Sequence, residues 1–236
     1  MNFFYACLPP ARAYIEAMKR CAIIFFLISL SVYSTAGPLG AQPEEALQPE
    51  GAFRHDGLFL RFQTGMGLGR MVEKEVNGRD IVMSGTTGAF RFQLGGAVLE
   101  NLIVYGELGA FSLADPSIRG EEAYITTTAQ SDITLTMSDL GLGACYYFMP
   151  INIYLSASMT LSRDQLEIGE AKGRTDPGVG AYFSAGKEWW VSDNWGLGAA
   201  VFVYAGRLSA RESEPFTGRH TVYNMAAGVV FSATYN

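Results

Sequence analysis

The sequence predicts an all-β chain: an eight-stranded antiparallel up-and-down transmembrane β-barrel behind an N-terminal signal peptide. Three observations predict it. A short apolar leader opens the chain. Eight segments follow whose polarity alternates residue by residue. The connections between those segments alternate between short and long.

The leader comes first. Lys19 and Arg20 precede an apolar run from Cys21 to Tyr33. At about 13 residues this run falls short of the ~20 that a spanning helix needs. Small residues follow at Ser34 to Ala36 and at Gly40 and Ala41. A basic start, a short apolar core and a small-residue exit describe a secretory signal peptide over residues 1–41, with Met18 a candidate true start. An uncleaved anchor helix is the alternative, and the length argues against it. Cleavage removes Arg12, Lys19 and Arg20 but only one acid, Glu16, so the mature chain is more acidic than the net charge of −6 of the whole. A nucleic-acid partner would require a basic patch, and none is visible. Cys7 and Cys21 leave with the leader. Cys145 remains alone, so no disulfide framework is expected.

Residues 42–56 contain Pro43, Pro49 and several glutamates, the composition of a flexible linker without a core. The barrel is expected over residues 57–236. Its first strand sets Leu58, Leu60, Phe62, Met66 and Leu68 against Phe59, Arg61, Gln63 and Gly65. The second sets Phe90, Phe92 and Leu94 against Arg91 and Gln93. The third sets Leu102, Val104 and Leu108 against Tyr105, Glu107 and Gly109. In the fourth, Leu140, Leu142, Tyr146 and Phe148 oppose Asp139, Gly141, Gly143 and Cys145. In the fifth, Leu155 and Met159 oppose Tyr154 and Ser156. The sixth sets Val179 and Phe183 against Tyr182 and Glu188. The seventh sets Leu197, Val201 and Val203 against Gly198 and Tyr204. The eighth sets Met225, Val229 and Phe231 against Asn224 and Gly228. Alternation with period two is the strand signature, and segments of about ten residues suit a tilted membrane strand.

Short connections fall at Leu99–Asn101, Met149–Ile151 and Ser192–Asn194. Long polar ones fall at 70–85, 112–132, 163–178 and 207–219. Short turns on the periplasmic side and long loops outside are the outer-membrane arrangement. Soluble sandwiches and lipocalin-type barrels alternate too. They fill the interior with the large apolar face. Here the opposite face is rich in glycine, serine and threonine, so it is the one expected to fit a narrow lumen, with leucine, valine and phenylalanine turned to lipid. Aromatics near the short turns, Tyr146, Tyr147, Phe148, Trp189, Trp190, Trp195 and Tyr235, are expected at the membrane interface.

The segments Tyr105 to Gly109, Gly186 to Trp190 and Trp195 to Gly198, with the eight-strand layout, resemble the small outer-membrane barrels typified by OmpA and OmpX. The likeness covers Gly57 to Asn236. The last strand, with Gly228, Phe231 and Tyr235, is similar to the signal read by the barrel-assembly machinery, although it ends on Asn236 rather than an aromatic. The resemblance implies outer-membrane lipid and that machinery as partners.

Within the lumen the phase places Arg61, Arg91, Glu107, Asp139 and Glu188. Isolated buried charge is costly, so a network is expected in which Arg61 and Arg91 both bridge to Glu107, with Glu188 or Asp139 as further acceptors. Such a network reads as a plug, with a narrow pore as the alternative. A lipid-modifying enzyme is a third reading and needs a serine within reach of a base. His55 falls in the linker and His220 is expected exposed at a loop end, so no catalytic residue is assigned. Ligand spacing for a metal is absent, and no cofactor is expected. The glycines around Met66 and Leu68 lie in a strand with no helix after it, which removes the context of a nucleotide loop. The loops carry Glu73, Glu75, Glu121, Glu122, Glu167, Glu170, Glu212 and Glu214 and are the expected contact point for any extracellular ligand.

Overall fold

The computed structural model describes residue 55 and residues 57–74, 80–119, 133–149, 151–211 and 219–236. The expected signal peptide and, apart from His55, the expected linker lie outside the described residues, as do Glu75, Glu121, Glu122, Glu212 and Glu214.

Eight long strands build the wall: β1 (Leu58–Lys74), β2 (Asp80–Leu99), β3 (Leu102–Ala114), β5 (Ile133–Phe148), β6 (Ile153–Ile168), β8 (Asp176–Trp190), β9 (Trp195–Arg211) and β10 (Arg219–Tyr235). Two short strands, β4 (Ser117–Arg119) and β7 (Ala171–Arg174), extend β2 and β6 beyond it. Each wall strand pairs antiparallel with its neighbours in the chain, and β1 pairs with both β2 and β10. The sheet is therefore closed and leaves no edge, which is the condition for strands to cross hydrocarbon.

The strands are longer than the alternation pattern suggested, from 13 to 20 residues. Two of the stretches expected as long loops are mostly strand: β1 and β2 stay paired out to Lys74 and Asp80, and β6 folds onto β7. Polar residues there need no loop, because above the lipid both faces of a hairpin meet water. At the other end the wall turns on two or four residues. Asn101 and Asn152 take the left-handed conformation there, with φ of 64° and 53°. Asparagine tolerates it better than most residues.

The two faces separate as the pattern requires. Met159, Leu142 and Leu68 point out and are more than 70% exposed. They belong to a belt that also holds Met66, Leu155, Leu161, Val201, Val203 and Phe231. Exposed apolar surface on this scale marks contact with a partner or a membrane. Arg61, Gln93, Arg91 and Glu107 are buried inside.

The interior differs from expectation in one respect. It is not mainly small. Phe59, Tyr105, Phe111, Tyr147, Tyr154, Tyr182, Phe202 and Tyr204 are all buried there. The inward glycines make room for these rings: a Cβ on Gly143 would stand 2.6 Å from the Tyr105 phenol, and one on Gly186 would stand 2.8 Å from the Tyr154 ring. Small and large residues thus alternate across the lumen, and together they fill it. Gly67 and Gly228 meet in register at the β1–β10 seam, where a Cβ on Gly67 would lie 2.2 Å from the Ala227 carbonyl oxygen. Only glycine permits that approach.

Candidate functional site

The strongest concentration of chemistry lies inside the barrel. Strand alternation turns Arg61 of β1, Arg91 of β2, Glu107 of β3, Asp139 of β5 and Glu188 of β8 into the lumen, and all five are buried. They form two clusters joined by an amide.

Toward the turn end, Arg61 Nη2 lies 3.0 Å from Glu188 Oε1. Because β1 and β8 are separated by β10 and β9, this contact crosses the lumen. Arg61 also donates from Nε to Thr234 Oγ1 at 3.1 Å, and from Nη2 to the Tyr147 hydroxyl. Glu188 accepts further bonds from Tyr147 at 3.0 Å and Thr234 at 2.7 Å. The guanidinium carbon sits 4.1 Å from the centre of the Tyr154 ring, close enough for a cation–π contact in a desolvated site.

Toward the loop end, Arg91 is the cation. Its Nη1 lies 2.7 Å from Glu107 Oε1, and its Nη1 and Nη2 donate to both oxygens of Asp139 at 3.1 and 3.0 Å. The Asp139 pairing is the bidentate fork for which arginine geometry is suited. Tyr182, from the far wall, places its ring centre 3.6 Å from the Arg91 guanidinium carbon. Ser158 donates to Glu107.

Gln93 links the two. Its Oε1 accepts from Arg61 Nη1 at 3.4 Å, and its Nε2 donates to Glu107 Oε2 at 3.0 Å. Both arginines were expected on Glu107. Arg61 instead pairs with Glu188, and reaches Glu107 only through Gln93. The register is the reason: Glu107 pairs with Gln93, and Gln93 pairs with Arg61, so the amide occupies the space between them. Two guanidiniums thus face three carboxylates, and amide and hydroxyl donors supply the remaining stabilisation. Periodicity did not single out a further buried carboxylate, Asp164 of β6. Both its oxygens accept from Asn224 Nδ2 at 2.7 Å.

Neither histidine lies where the sequence suggested. His55 is buried, not part of an open linker. Its ring stacks on Tyr147 with centroids 3.4 Å apart, and its Nε2 lies 2.9 Å from Asn152 Oδ1. It covers the turn end of the lumen. His220 is buried at the loop end opposite Ala210, rather than exposed, because its position in β10 points inward. With one histidine at each end of the barrel, the two cannot share a site.

Of the aromatics expected at the interface, Tyr146, Phe148, Trp189 and Trp195 are exposed on the outer wall at the turn end. Tyr235 packs edge-on against Trp195 with centroids 5.4 Å apart. Tyr147 and Trp190 do not join them. Each follows an outward residue by one position, and the two-residue period turns it inward: Tyr147 is buried and Trp190 stands 5.0 Å from the His55 ring.

No protein-family model matches the chain, and no curated protein matches it. Among solved structures it is similar to Neisserial surface protein A, at 16% identity, covering 74% of this chain and 96% of that one with a TM-score of 0.42. It is also similar to the outer membrane protein OprG of Pseudomonas aeruginosa, at 12% identity, 77% and 97% coverage and a TM-score of 0.44. The outer membrane protease OmpT of Escherichia coli is a further match, at 8% identity, 77% and 97% coverage and a TM-score of 0.41. Closed in its hydrogen bonding, apolar outside and charged within, this chain folds as an eight-stranded transmembrane β-barrel.

Proposed function

We propose that this protein is a non-enzymatic barrel of the bacterial outer membrane, plugged by its own side chains, whose biological contacts are made by the loop end. One observation carries the reading: the Arg61–Glu188 pair crosses the lumen at 3.0 Å with both side chains withdrawn from water. An open channel would leave such a pair hydrated, whereas a filled one makes it a strut. The outward aromatics of the turn end seat the barrel at the periplasmic interface, and the loops carry any extracellular ligand.

Cell fractionation with heat-modifiable gel mobility tests the location. Planar-bilayer recording tests the plug: the wild-type barrel is expected to give no stepwise conductance, and Glu107→Ala is expected to leave it closed. Steady wild-type channels would make the protein a narrow pore. Mass spectrometry of outer-membrane glycolipid from cells with and without the protein tests the non-enzymatic part, and a protein-dependent change in acylation would overturn it.

A further inference from the structure

The outer wall carries charge at one rim that the interior network does not use. Arg70 of β1, Arg163 of β6 and Arg207 of β9 all point outward and are exposed. Each stands at the loop-side border of the apolar belt. Arg70 follows Leu68 on the outward face, Arg163 follows Leu161, and Arg207 lies beyond Val203 and Ala205. Among the described residues none of the three enters an ion pair.

The register places them at one height. Arg70 pairs with Met225, which pairs with Ala205, two residues below Arg207. Arg207 pairs with Val179, which pairs with Leu161, two residues below Arg163. Barrel strands tilt and stagger. A step of two residues for every two strands follows that stagger, so the three arginines form an arc around half of the barrel. Successive members stand two strands apart, roughly 10 Å across the sheet. Tyr223 of β10 lies within the arc, with its ring centre 6.0 Å from the Arg207 guanidinium carbon. The opposite rim is built differently, from Trp189, Trp195 and Tyr235 with, among the described residues, one cation, Lys187.

We propose that Arg70, Arg163 and Arg207 bind the headgroup phosphates of the outer-leaflet glycolipid. A cation at the end of an apolar belt sits at headgroup depth, and phosphate there is the anion within reach. Guanidinium offers paired donors that match phosphate oxygens, which a lone ammonium does not. Three arginines spread over half the wall can hold a headgroup with more than one phosphate while its acyl chains lie on the belt below. The proposal rests on the outer-membrane location in the reading above but not on the plugged lumen, so a conducting barrel would leave it standing.

The test uses the full mature chain, folded in zwitterionic micelles and titrated with purified lipopolysaccharide or with the same lipid chemically dephosphorylated. The readout is the midpoint temperature of heat-modifiable mobility together with the apparent affinity. Wild type is expected to gain stability with the native lipid and little with the dephosphorylated one. The triple variant Arg70→Ala, Arg163→Ala, Arg207→Ala is expected to bind on the order of a hundredfold more weakly, at about fivefold per arginine. Lys187→Ala, at the other rim, is expected to bind like wild type. Equal binding of the two lipids by wild type overturns the proposal, and that arm needs no variant to fold. Equal affinity of the triple variant and wild type for the native lipid overturns it as well.

Discussion

Arg61 and Glu188 hold two walls of the barrel together across the lumen: β1 supplies the guanidinium, β8 the carboxylate, and 3.0 Å separates them with both side chains buried. Removing one member of a buried pair strands the other charge, which typically costs about 3–5 kcal/mol. Glu188→Ala is therefore expected to lower stability by that amount. Glu188→Gln is expected to cost less, because Tyr147 and Thr234 keep an acceptor. Urea unfolding in micelles, followed by fluorescence of the adjacent Trp189 and Trp190, measures both. Two variants indistinguishable from wild type would mean that the strut bears no load.

The glycines divide by what stands opposite them. A methyl on Gly67 would meet only backbone, at Ala227 and Gly228, whereas one on Gly180 would meet the hydroxyls of Thr160, Tyr204 and Ser162. Backbone at a paired seam cannot yield, but a hydroxyl can turn away. Gly180→Ala is expected to cost about 1 kcal/mol and to be eased by Tyr204→Phe. Gly67→Ala is expected to cost about 3 kcal/mol or more, with no side-chain rescue. Similar unfolding midpoints for the two alanine variants would contradict this.

His55 gives the barrel a pH dependence at its turn end. Burial, helped by the nearby Arg61 charge, holds its imidazole below the ordinary value of 6.5, against the opposing pull of Asn236, Asn152 and Glu188. The unfolded chain therefore takes up the proton first as pH falls. The contribution of His55 to stability is complete above pH 6.5 and is lost as pH drops from there toward the folded-state value. Unfolding midpoints at several values between pH 7.5 and 5 should fall for wild type more steeply than for His55→Phe, which keeps a ring on Tyr147. Parallel curves would assign the pH dependence to other groups.

Much of this was legible in the chain itself. A strand's side chains alternate faces with a period of two, so the sequence alone assigned Arg61, Arg91, Glu107, Asp139 and Glu188 to one face, and Leu68, Leu142 and Met159 to the other. The alternation of short and long connections set the strand order, because antiparallel neighbours follow one another along the chain. Both are local properties, and local properties survive without coordinates.

Partnership is not local. Glu188 answers Arg61 because closing the wall brings β8 across from β1, and Gln93 stands between Arg61 and Glu107 because of the register that closure imposes. Burial of His55 and His220, and the filling of the lumen by rings seated over glycines, depend on the same closure. The arc of Arg70, Arg207 and Arg163 depends on it too, since strand stagger sets the height of a residue in the membrane. Distances between residues far apart in the chain are fixed only when the sheet shuts on itself, and that step belongs to the tertiary structure.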